Sequence, residues 1–278
     1  MGRFDNILIF SDIDGTYLDD ARMTVPRNEE AIRRFTAEGG TLAFATGRME
    51  RNTQKAIPNI TELANFPTIL SNGANVYDFR ADKSLCELFM EPQTVMPLID
   101  FVMEEYRFAV GIRVTVPGGF LYPYDHPLVE RDRALNPQIM YKRDPSEWDL
   151  SRIFKIVFRA ETDVLVRMQE KMLPLFGDGV DIILSEAKIL EAQQKGVSKG
   201  STVDMIRRGL AERGTPKRIV CIGDYENDLE MLRAADLAAC PSNALDSVKA
   251  VADVIVGSCN DGAVADLIEY IEKHPELV

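Results

Sequence analysis

The sequence predicts an α/β protein with a doubly wound parallel sheet, into which a second domain of α+β type is inserted. Short, continuous apolar runs alternate with helical patterns near both ends of the chain, while the middle follows another order. Continuous apolar runs indicate strands covered on both faces, as in a parallel sheet. Because strands and helices alternate, we expect helices on both faces of that sheet.

The elements of the predicted core fall into two groups along the chain. The strands are 7–12, 41–46, 68–72, 218–224, 237–240 and 254–257. The helices are 28–38, 200–212 and 262–272, where apolar residues recur at helical spacing. The first two helices end at or near glycines, which often terminate helices.

The pattern in the middle of the chain predicts two successive groups, each a helix followed by a hairpin. This repetition suggests a weak internal duplication. The predicted elements are helix 92–106, strands within 108–124, a loop-rich stretch, strand 153–160, helix 162–176 and strands within 180–194. We therefore expect a Rossmann-like core formed by residues 1–84 and 195–278, with residues 85–194 inserted. Linkers are expected around 82–91 and 194–199, where the chain is polar.

Composition excludes several classes of partner. The formal net charge is −12 and lysine and arginine are scattered, so we expect no nucleic-acid partner. No apolar run reaches the roughly 18 residues of a membrane span, and we expect neither a signal peptide nor a membrane partner. Four cysteines without metal-type spacing predict a reducing, cytoplasmic setting without disulfides. Only two histidines are present, which argues against a Ser-His-Asp or Cys-His mechanism.

Four polar clusters stand out, three directly after predicted strands and one at the start of a predicted helix. Ligands of open parallel sheets bind outside the carboxyl ends of the strands. The first is Asp12-Ile-Asp14-Gly-Thr, for which an ordinary turn is the simplest interpretation. However, two carboxylates at the end of a buried strand repel each other and lose hydration. A Mg²⁺ ion with oxygen ligands would relieve both penalties.

The other three clusters are each ambiguous when taken alone. ATGR (45–48) can hold an anion, or Thr46 can simply cap a helix. In VSKG (197–200), a lysine at a helix start opposes the macrodipole, so Lys199 is either a solvated charge or directed at a phosphate. GDYEND (223–228) is either a solvated acidic loop or a further source of oxygen ligands.

Together, in this order, the four clusters resemble the motifs of the haloacid-dehalogenase-like hydrolase superfamily. Further similarity lies in SNGANVYD (71–78) and CPSNALDSVKAVADVIV (240–256). The insert lies between the second and third motifs, as in the Cof-type sugar phosphatases (subfamily IIB), which carry a large α/β cap. Tyr225 departs from the pattern, since many relatives have asparagine there.

The resemblance implies a Mg²⁺-dependent phosphatase that forms an aspartyl-phosphate. Asp12 would be the nucleophile and Asp14 the general acid and base, with Thr46 and Lys199 as further catalytic residues. Mg²⁺ would be bound by Asp12, the backbone carbonyl of Asp14, Asp224 and Asp228. The implied phosphate- or substrate-binding residues are Thr46, Gly47, Arg48, Asn72, Gly73, Arg113, Lys199 and Asn227.

The resemblance also implies the partners and leaves two alternatives open. The substrate would be a small phosphorylated metabolite, with sugar phosphates as the expected class, and the protein a monomer or weak homodimer. One alternative is a phosphosugar mutase, which returns the phosphoryl group to a second hydroxyl. The other is a non-catalytic protein that binds phosphate and regulates a partner.

Overall fold

The computed structural model describes residues 2–142, 144–274 and 276 of the chain. The chain divides into two compact units. The first unit comprises Met1–Cys86 and Ser198–Val278, and the second comprises Glu87–Val197. Each unit has its own hydrophobic core, as described below.

Strands account for most of the framework of both units. In chain order they are β1 (Ile7–Ser11), β2 (Thr41–Phe44), β3 (Thr68–Leu70), β4 (Asn75–Asp78), β5 (Lys83–Glu87), β6 (Gly111–Val116), β7 (Gly119–Tyr122), β8 (Met140–Lys142), β9 (Lys155–Arg159), β10 (Val180–Glu186), β11 (Ile189–Gln194), β12 (Arg218–Ile222), β13 (Leu237–Pro241) and β14 (Val254–Val256).

The helices connect these strands. They are α1 (Pro26–Ala37), α2 (Glu50–Ala56), α3 (Ile60–Leu63), α4 (Pro92–Glu105), α5 (Pro127–Leu135), α6 (Thr162–Phe176), α7 (Lys199–Glu212), α8 (Leu229–Arg233), α9 (Asp246–Lys249) and α10 (Ala263–Lys273). Among the described residues, no helix has both the length and the apolar character needed to cross a membrane.

The first unit is built on a parallel sheet of five strands in the order β14-β13-β12-β1-β2. Strand β1 lies between β12 and β2, and alternate residues of it enter two different cores. Ile7 and Ile9 pack in the core that includes residues of α1 and α10, whereas Leu8 and Phe10 pack in the core that includes residues of α7 and α8. The prediction of a doubly wound α/β core is therefore confirmed.

The predicted strand at 68–72 does not join this parallel sheet. Strand β3 instead begins a sheet of three strands in the order β3-β4-β5, and it pairs antiparallel with β4. A single parallel bridge between Ala45 and Ile69 is what relates β3 to the end of β2. The chain leaves the extended conformation after Leu70, because Ser71 and Asn72 adopt positive φ angles of 50° and 55°.

The second unit contains a sheet of six strands in the order β10-β11-β9-β6-β7-β8, antiparallel except between β7 and β8. Helices α4 and α6 contribute apolar residues to the core on one face of this sheet, beside Ile112, Ile156 and Leu190. The two helix-plus-hairpin groups predicted from the sequence are both present.

Three elements lie where the sequence predicts none. Strand β5 lies within the expected linker at 82–91, in which the boundary between the two units also falls, and the stretch expected to be rich in loops before β9 contains helix α5 and strand β8. All four cysteines are free in this structure.

Candidate active site

The first acidic residue of the site, Asp12, follows strand β1, an interior strand of the parallel sheet. Its backbone N–H donates to the carbonyl of Ile222 at 2.9 Å, which continues the parallel pairing of β1 with β12. The residue is only 6% exposed. A carboxylate this deeply buried is costly unless a cation or hydrogen-bond donors compensate for its lost hydration.

Lys199 supplies that cation. It opens helix α7 directly after Ser198, whose hydroxyl caps the helix by accepting from the N–H of Ser201 at 3.0 Å. The fully buried ammonium donates to Oδ1 of Asp12 at 2.6 Å and to Oδ1 of Asp228 at 2.7 Å. These two carboxylates explain why a lysine is tolerated at the start of a helix.

Asp228 and Asp224 complete an acidic cluster after strand β12. Asp228 is fully buried, and its Oδ2 accepts from the backbone N–H groups of Asp224 at 3.0 Å and Tyr225 at 3.1 Å. One carboxylate oxygen from each of Asp12, Asp224 and Asp228 lies within 4.8 Å of the others. Three oxygens at this separation form a donor set that suits a hard divalent cation.

The charges of the cluster shift its pKa values. Burial raises the pKa of Asp12 well above its usual range, although the Lys199 ammonium opposes this shift. Burial, followed by the charge of Asp228, raises the pKa of Asp224 to about 7. Burial would lower the pKa of Lys199, but the charges of Asp12 and Asp228 outweigh it and raise that pKa. The metal-free cluster is therefore short of positive charge.

The carboxylate of Asp14 lies apart from this cluster and is bound by Arg48. Nε and Nη2 of Arg48 donate to its two oxygens at 2.7 and 2.6 Å. Burial alone would raise the pKa of Asp14. The hydrogen bonds and charge of Arg48, together with the charges of Arg22 and Lys199, outweigh burial and lower that pKa. The predicted substrate residue Arg48 thus contacts Asp14 in this structure.

Two loops bring further predicted residues to the same edge of the sheet. The N–H of Asn72 donates to the carbonyl of Thr46 at 3.0 Å, and the hydroxyl of Thr202 on α7 donates to the carbonyl of Gly73 at 3.0 Å. A Cβ on Gly73 would lie 2.2 Å from the carbonyl oxygen of Ser198, so only glycine permits this approach to the start of α7. Gly47 lies in the first of these loops, between Thr46 and Arg48.

Two more of the predicted residues contact protein groups in this structure. Asn227 donates through Nδ2 to Oδ1 of Asn72 at 3.2 Å. Arg113 belongs to the second unit, where its guanidinium donates to Asp132 at 3.0 Å and lies over the ring of Phe120. Both of these partners of Arg113 belong to the same unit as Arg113 itself.

Thr16 belongs to the first motif, and the sequence alone indicates no role for it. Its hydroxyl donates to Oδ1 of Asp224 at 3.0 Å, which joins the loop after β1 to the loop after β12. Gly15 makes the two loops' close approach possible, because a Cβ there would lie 2.4 Å from Oδ2 of Asp224 and its φ is +77°. Glycine at position 15 is therefore needed for the close approach to Asp224 as well as for the turn.

We expect Gly15→Ala to lower activity about a hundredfold, because the added methyl group would collide with the Asp224 carboxylate and displace it. The matched control is Gly214→Ala, since Gly214 also has a positive φ, of +69°, but open space where the methyl group would be. Both variants have the backbone strain of about 1–2 kcal/mol in common. Equal activities of the two variants, measured as initial rates on one aryl phosphate, would contradict the prediction.

Comparison with known proteins places these observations in a family. A family model described as haloacid dehalogenase-like hydrolase matches residues 9–268. Among relatives, the HMP-PP phosphatase of Cronobacter sakazakii is 25% identical over 96% of both chains. The phosphoglycolate phosphatase of Methanopyrus kandleri is 27% identical, over 95% of this chain and 96% of that protein.

Another relative is longer than this chain. The chloroplastic endoribonuclease YBEY of Arabidopsis thaliana is 26% identical over 94% of this chain, which spans only 45% of that protein. Among solved structures, a haloacid dehalogenase-like hydrolase from Bacteroides thetaiotaomicron shares the fold, with a TM-score of 0.79, 22% identity, and coverage of 95% of this chain and 98% of that chain.

The family match confirms the resemblance that the four motifs predict. The relatives named as phosphatases align over nearly their whole length and support a phosphatase enzyme. Because the family model matches most of the sequence, the chain belongs to the haloacid dehalogenase-like hydrolase family.

Proposed function

We propose that the protein is a Mg²⁺-dependent phosphatase that hydrolyses small phosphorylated metabolites through an aspartyl-phosphate on Asp12. The observation that carries this proposal is the buried Asp12 carboxylate, which contacts Lys199 and shares an acidic cluster with Asp224 and Asp228. A buried cation, the proposed nucleophile and a candidate metal site thus lie together where strands β1 and β12 end and helix α7 begins.

The donor set fits Mg²⁺ in its chemistry. It offers the carboxylates of Asp12, Asp224 and Asp228, and the backbone carbonyl of Asp14 would add a fourth oxygen. The raised pKa values of Asp12 and Asp224 are what uncompensated carboxylates produce, and a bound cation would reverse them. When bound, the ion would neutralise charge on the phosphoryl group and on the cluster.

The covalent step is assigned to Asp12 and Asp14. A carboxylate oxygen of Asp12 forms a bond to phosphorus as the ester P–O bond breaks, and the leaving oxygen takes the electron pair. Asp14 gives that oxygen a proton. Asp14 then takes a proton from a water molecule whose oxygen attacks phosphorus, the bond to Asp12 breaks, and inorganic phosphate is released.

Arg48 controls the proton on Asp14 in this scheme. The hydrogen bonds from Arg48 lower the pKa of Asp14 and keep it ionised in the free protein. To act first as an acid, Asp14 has to gain a proton, which is easier once the guanidinium moves to an anionic substrate. This order of events gives Arg48 a substrate-binding role.

The phosphoryl oxygens would be held by the loops around Asp12. The buried hydroxyl of Thr46 accepts from the N–H of Arg48 at 3.2 Å, and it can donate its own hydrogen to a phosphoryl oxygen. The Gly47 N–H and the Lys199 ammonium would supply further donors, with Asn72, Gly73 and Asn227 beside them. Phosphoryl transfer depends mainly on such positioning and charge stabilisation.

The substrate class is proposed at the level of a small phosphorylated metabolite. Sugar phosphates are the class that the Cof-type resemblance implies, and the residue 87–197 unit would be the cap that selects the leaving group. The names of the relatives support the broader class, since one is an HMP-PP phosphatase and another a phosphoglycolate phosphatase. Arg113 is a candidate substrate residue of the cap.

The test is phosphate release from a panel of phosphorylated sugars, polyols, glycerates and cofactors, with Mg²⁺ and with EDTA. We expect release that requires the metal, and the ranking of substrates would define the leaving group. Phosphate exchange between sugar hydroxyls with little free phosphate would instead indicate a mutase. Binding of substrates with no turnover of any compound would contradict the enzymatic proposal and leave a phosphate-binding protein.

Proton release on metal binding gives a pH prediction. The carboxylate of Asp224 must be ionised to bind a cation, and its pKa is about 7 in the metal-free protein. We expect the apparent Mg²⁺ affinity to fall as pH decreases below about 7, by up to about tenfold per pH unit for each proton displaced. Calorimetric titration at several pH values measures this, and an affinity independent of pH between about 5 and 8 would contradict it.

The same pKa predicts the stability of the metal-free protein. A raised carboxyl pKa means that the folded state binds a proton that the unfolded state does not. The contribution of Asp224 to the free energy of unfolding is therefore lost as pH rises from about 4 to about 7. Saturating Mg²⁺ should remove this loss, and urea unfolding with and without the ion measures it.

A further inference from the structure

The turn after strand β13 contacts both acidic loops of the site. Within it, Nδ2 of Asn243 donates to the carbonyl of Gly15 at 2.8 Å, in the loop that carries Asp12 and Asp14. Two residues later, the N–H of Leu245 donates to the backbone carbonyl of Asp224 at 3.1 Å. One short turn therefore binds the backbone of the two segments that supply the acidic cluster.

The Asn243 amide is oriented at both ends. Its Oδ1 accepts from the backbone N–H of Cys259 at 2.8 Å, so the opposite end of the amide directs its N–H at Gly15. Cys259 is fully buried and follows Ser258, which caps a short 3₁₀ helix by accepting from the N–H of Asn260. The N–H group that orients the Asn243 amide thus belongs to a fully buried residue.

A second contact joins the loop after β1 to the short 3₁₀ helix at Cys259–Asp261. The N–H of Asp20 donates to Oδ1 of Asn260 at 3.0 Å, and the amide of Asn260 donates back to Asp20 at 2.8 Å. This pair holds the far end of the loop that begins at Asp12. Asn243 acts at the near end, beside the cluster, where the carbonyl of Asp14 and the hydroxyl of Thr16 flank Gly15.

The position of Gly15 determines the separation of the two acidic loops. Its backbone lies so close to Asp224 that no side chain fits between them, and the next residue, Thr16, donates to the Asp224 carboxylate. A hydrogen bond that fixes the Gly15 carbonyl fixes the peptide plane between Gly15 and Thr16. It therefore also constrains the neighbouring carbonyl of Asp14 and the direction of the Thr16 hydroxyl.

We infer that Asn243 is a positioning residue for the divalent cation, acting through Gly15 on the oxygens of Asp14 and Asp224. It would contact neither the ion nor the substrate. The inference rests on the proposed function, since it assumes that the cluster binds a cation. Its loss would weaken metal binding and leave substrate affinity at saturating metal little changed.

The test compares Asn243→Ala with Ser242→Ala, which changes the exposed neighbouring residue in the same turn. Mg²⁺ binding to the substrate-free protein is measured by calorimetry, together with the Mg²⁺ concentration for half-maximal activity and the KM at saturating Mg²⁺. We expect Asn243→Ala to weaken Mg²⁺ binding about tenfold to a hundredfold, the usual effect of residues that orient ligands. We expect Ser242→Ala to match the wild type.

A second variant keeps the test decisive if Asn243→Ala does not fold. Asn243→Asp retains an oxygen for the Cys259 N–H and removes the donor to Gly15, and we expect the same direction of change. Unaltered Mg²⁺ affinity in the folded variants, with only a lower melting temperature, would overturn the inference. A wild-type protein that binds no Mg²⁺ would instead overturn the proposed metal site.

Discussion

Replacing Asp12 with asparagine is expected to reduce phosphatase turnover by a factor on the order of 10⁴ or more. The substitution keeps the shape of the side chain but removes the carboxylate that would bond to phosphorus. Lys199 retains Asp228 as a partner, and the cluster loses one repelling charge, so the variant should fold. Initial rates at saturating Mg²⁺ and a melting curve measure both expectations.

The matched control is Asp246→Asn, which makes the same chemical change at a fully exposed carboxylate in the same unit. We expect it to retain wild-type turnover. Residual activity of the Asp12 variant near that of this control would show that the nucleophile lies elsewhere, provided that both proteins are folded.

Removing the Lys199 ammonium is expected to affect stability as well as turnover. In Lys199→Met, the buried carboxylates of Asp12 and Asp228 lose the cation that both contact. Breaking a buried ion pair in this way costs about 3–5 kcal/mol at neutral pH. The loss should be smaller near pH 5, because protonation of Asp12, whose pKa is already raised, removes one of the uncompensated charges.

Urea unfolding in EDTA measures this change against Lys188→Met, which breaks an exposed ion pair with Glu161 and should cost less than about 1 kcal/mol. The double variant Lys199→Met with Asp228→Asn should recover part of the stability but none of the activity. Equal stabilities of the two single lysine variants would contradict the account of Lys199 as the compensating charge.

The parallel core could be predicted from the sequence because its strands are buried on both faces. Runs such as Ile7–Ser11 and Arg218–Ile222 are nearly continuous in apolar residues, which alternating or half-buried strands are not. The small sheet β3-β4-β5 was missed because the apolar run at 68–72 resembles a strand of the parallel sheet and because β5 is polar and partly exposed. Helix α5 was missed because its sequence, PLVERDRAL, shows no clear apolar face.

The site was predictable where the chemistry is local. Acidic residues at strand ends are visible in the sequence, and the structure brings Asp12, Asp224 and Asp228 within reach of one ion. The partners of those residues were not predictable, because they depend on contacts between distant segments. The bond from Lys199 to Asp228 and that from Asn243 to Gly15 are two such contacts, and neither has a spacing signal.

Covalent phosphorylation of Asp12 during turnover is the step on which the proposed mechanism depends. The most direct measurement is acid quenching of the enzyme within the first turnover on its best substrate, followed by peptide mass spectrometry. We expect a phosphoryl group on the peptide that contains Asp12, in the wild type and in Asp246→Asn but not in Asp12→Asn. Phosphate on another residue, or continued turnover by an Asp12 variant without any phosphorylated peptide, would contradict the mechanism.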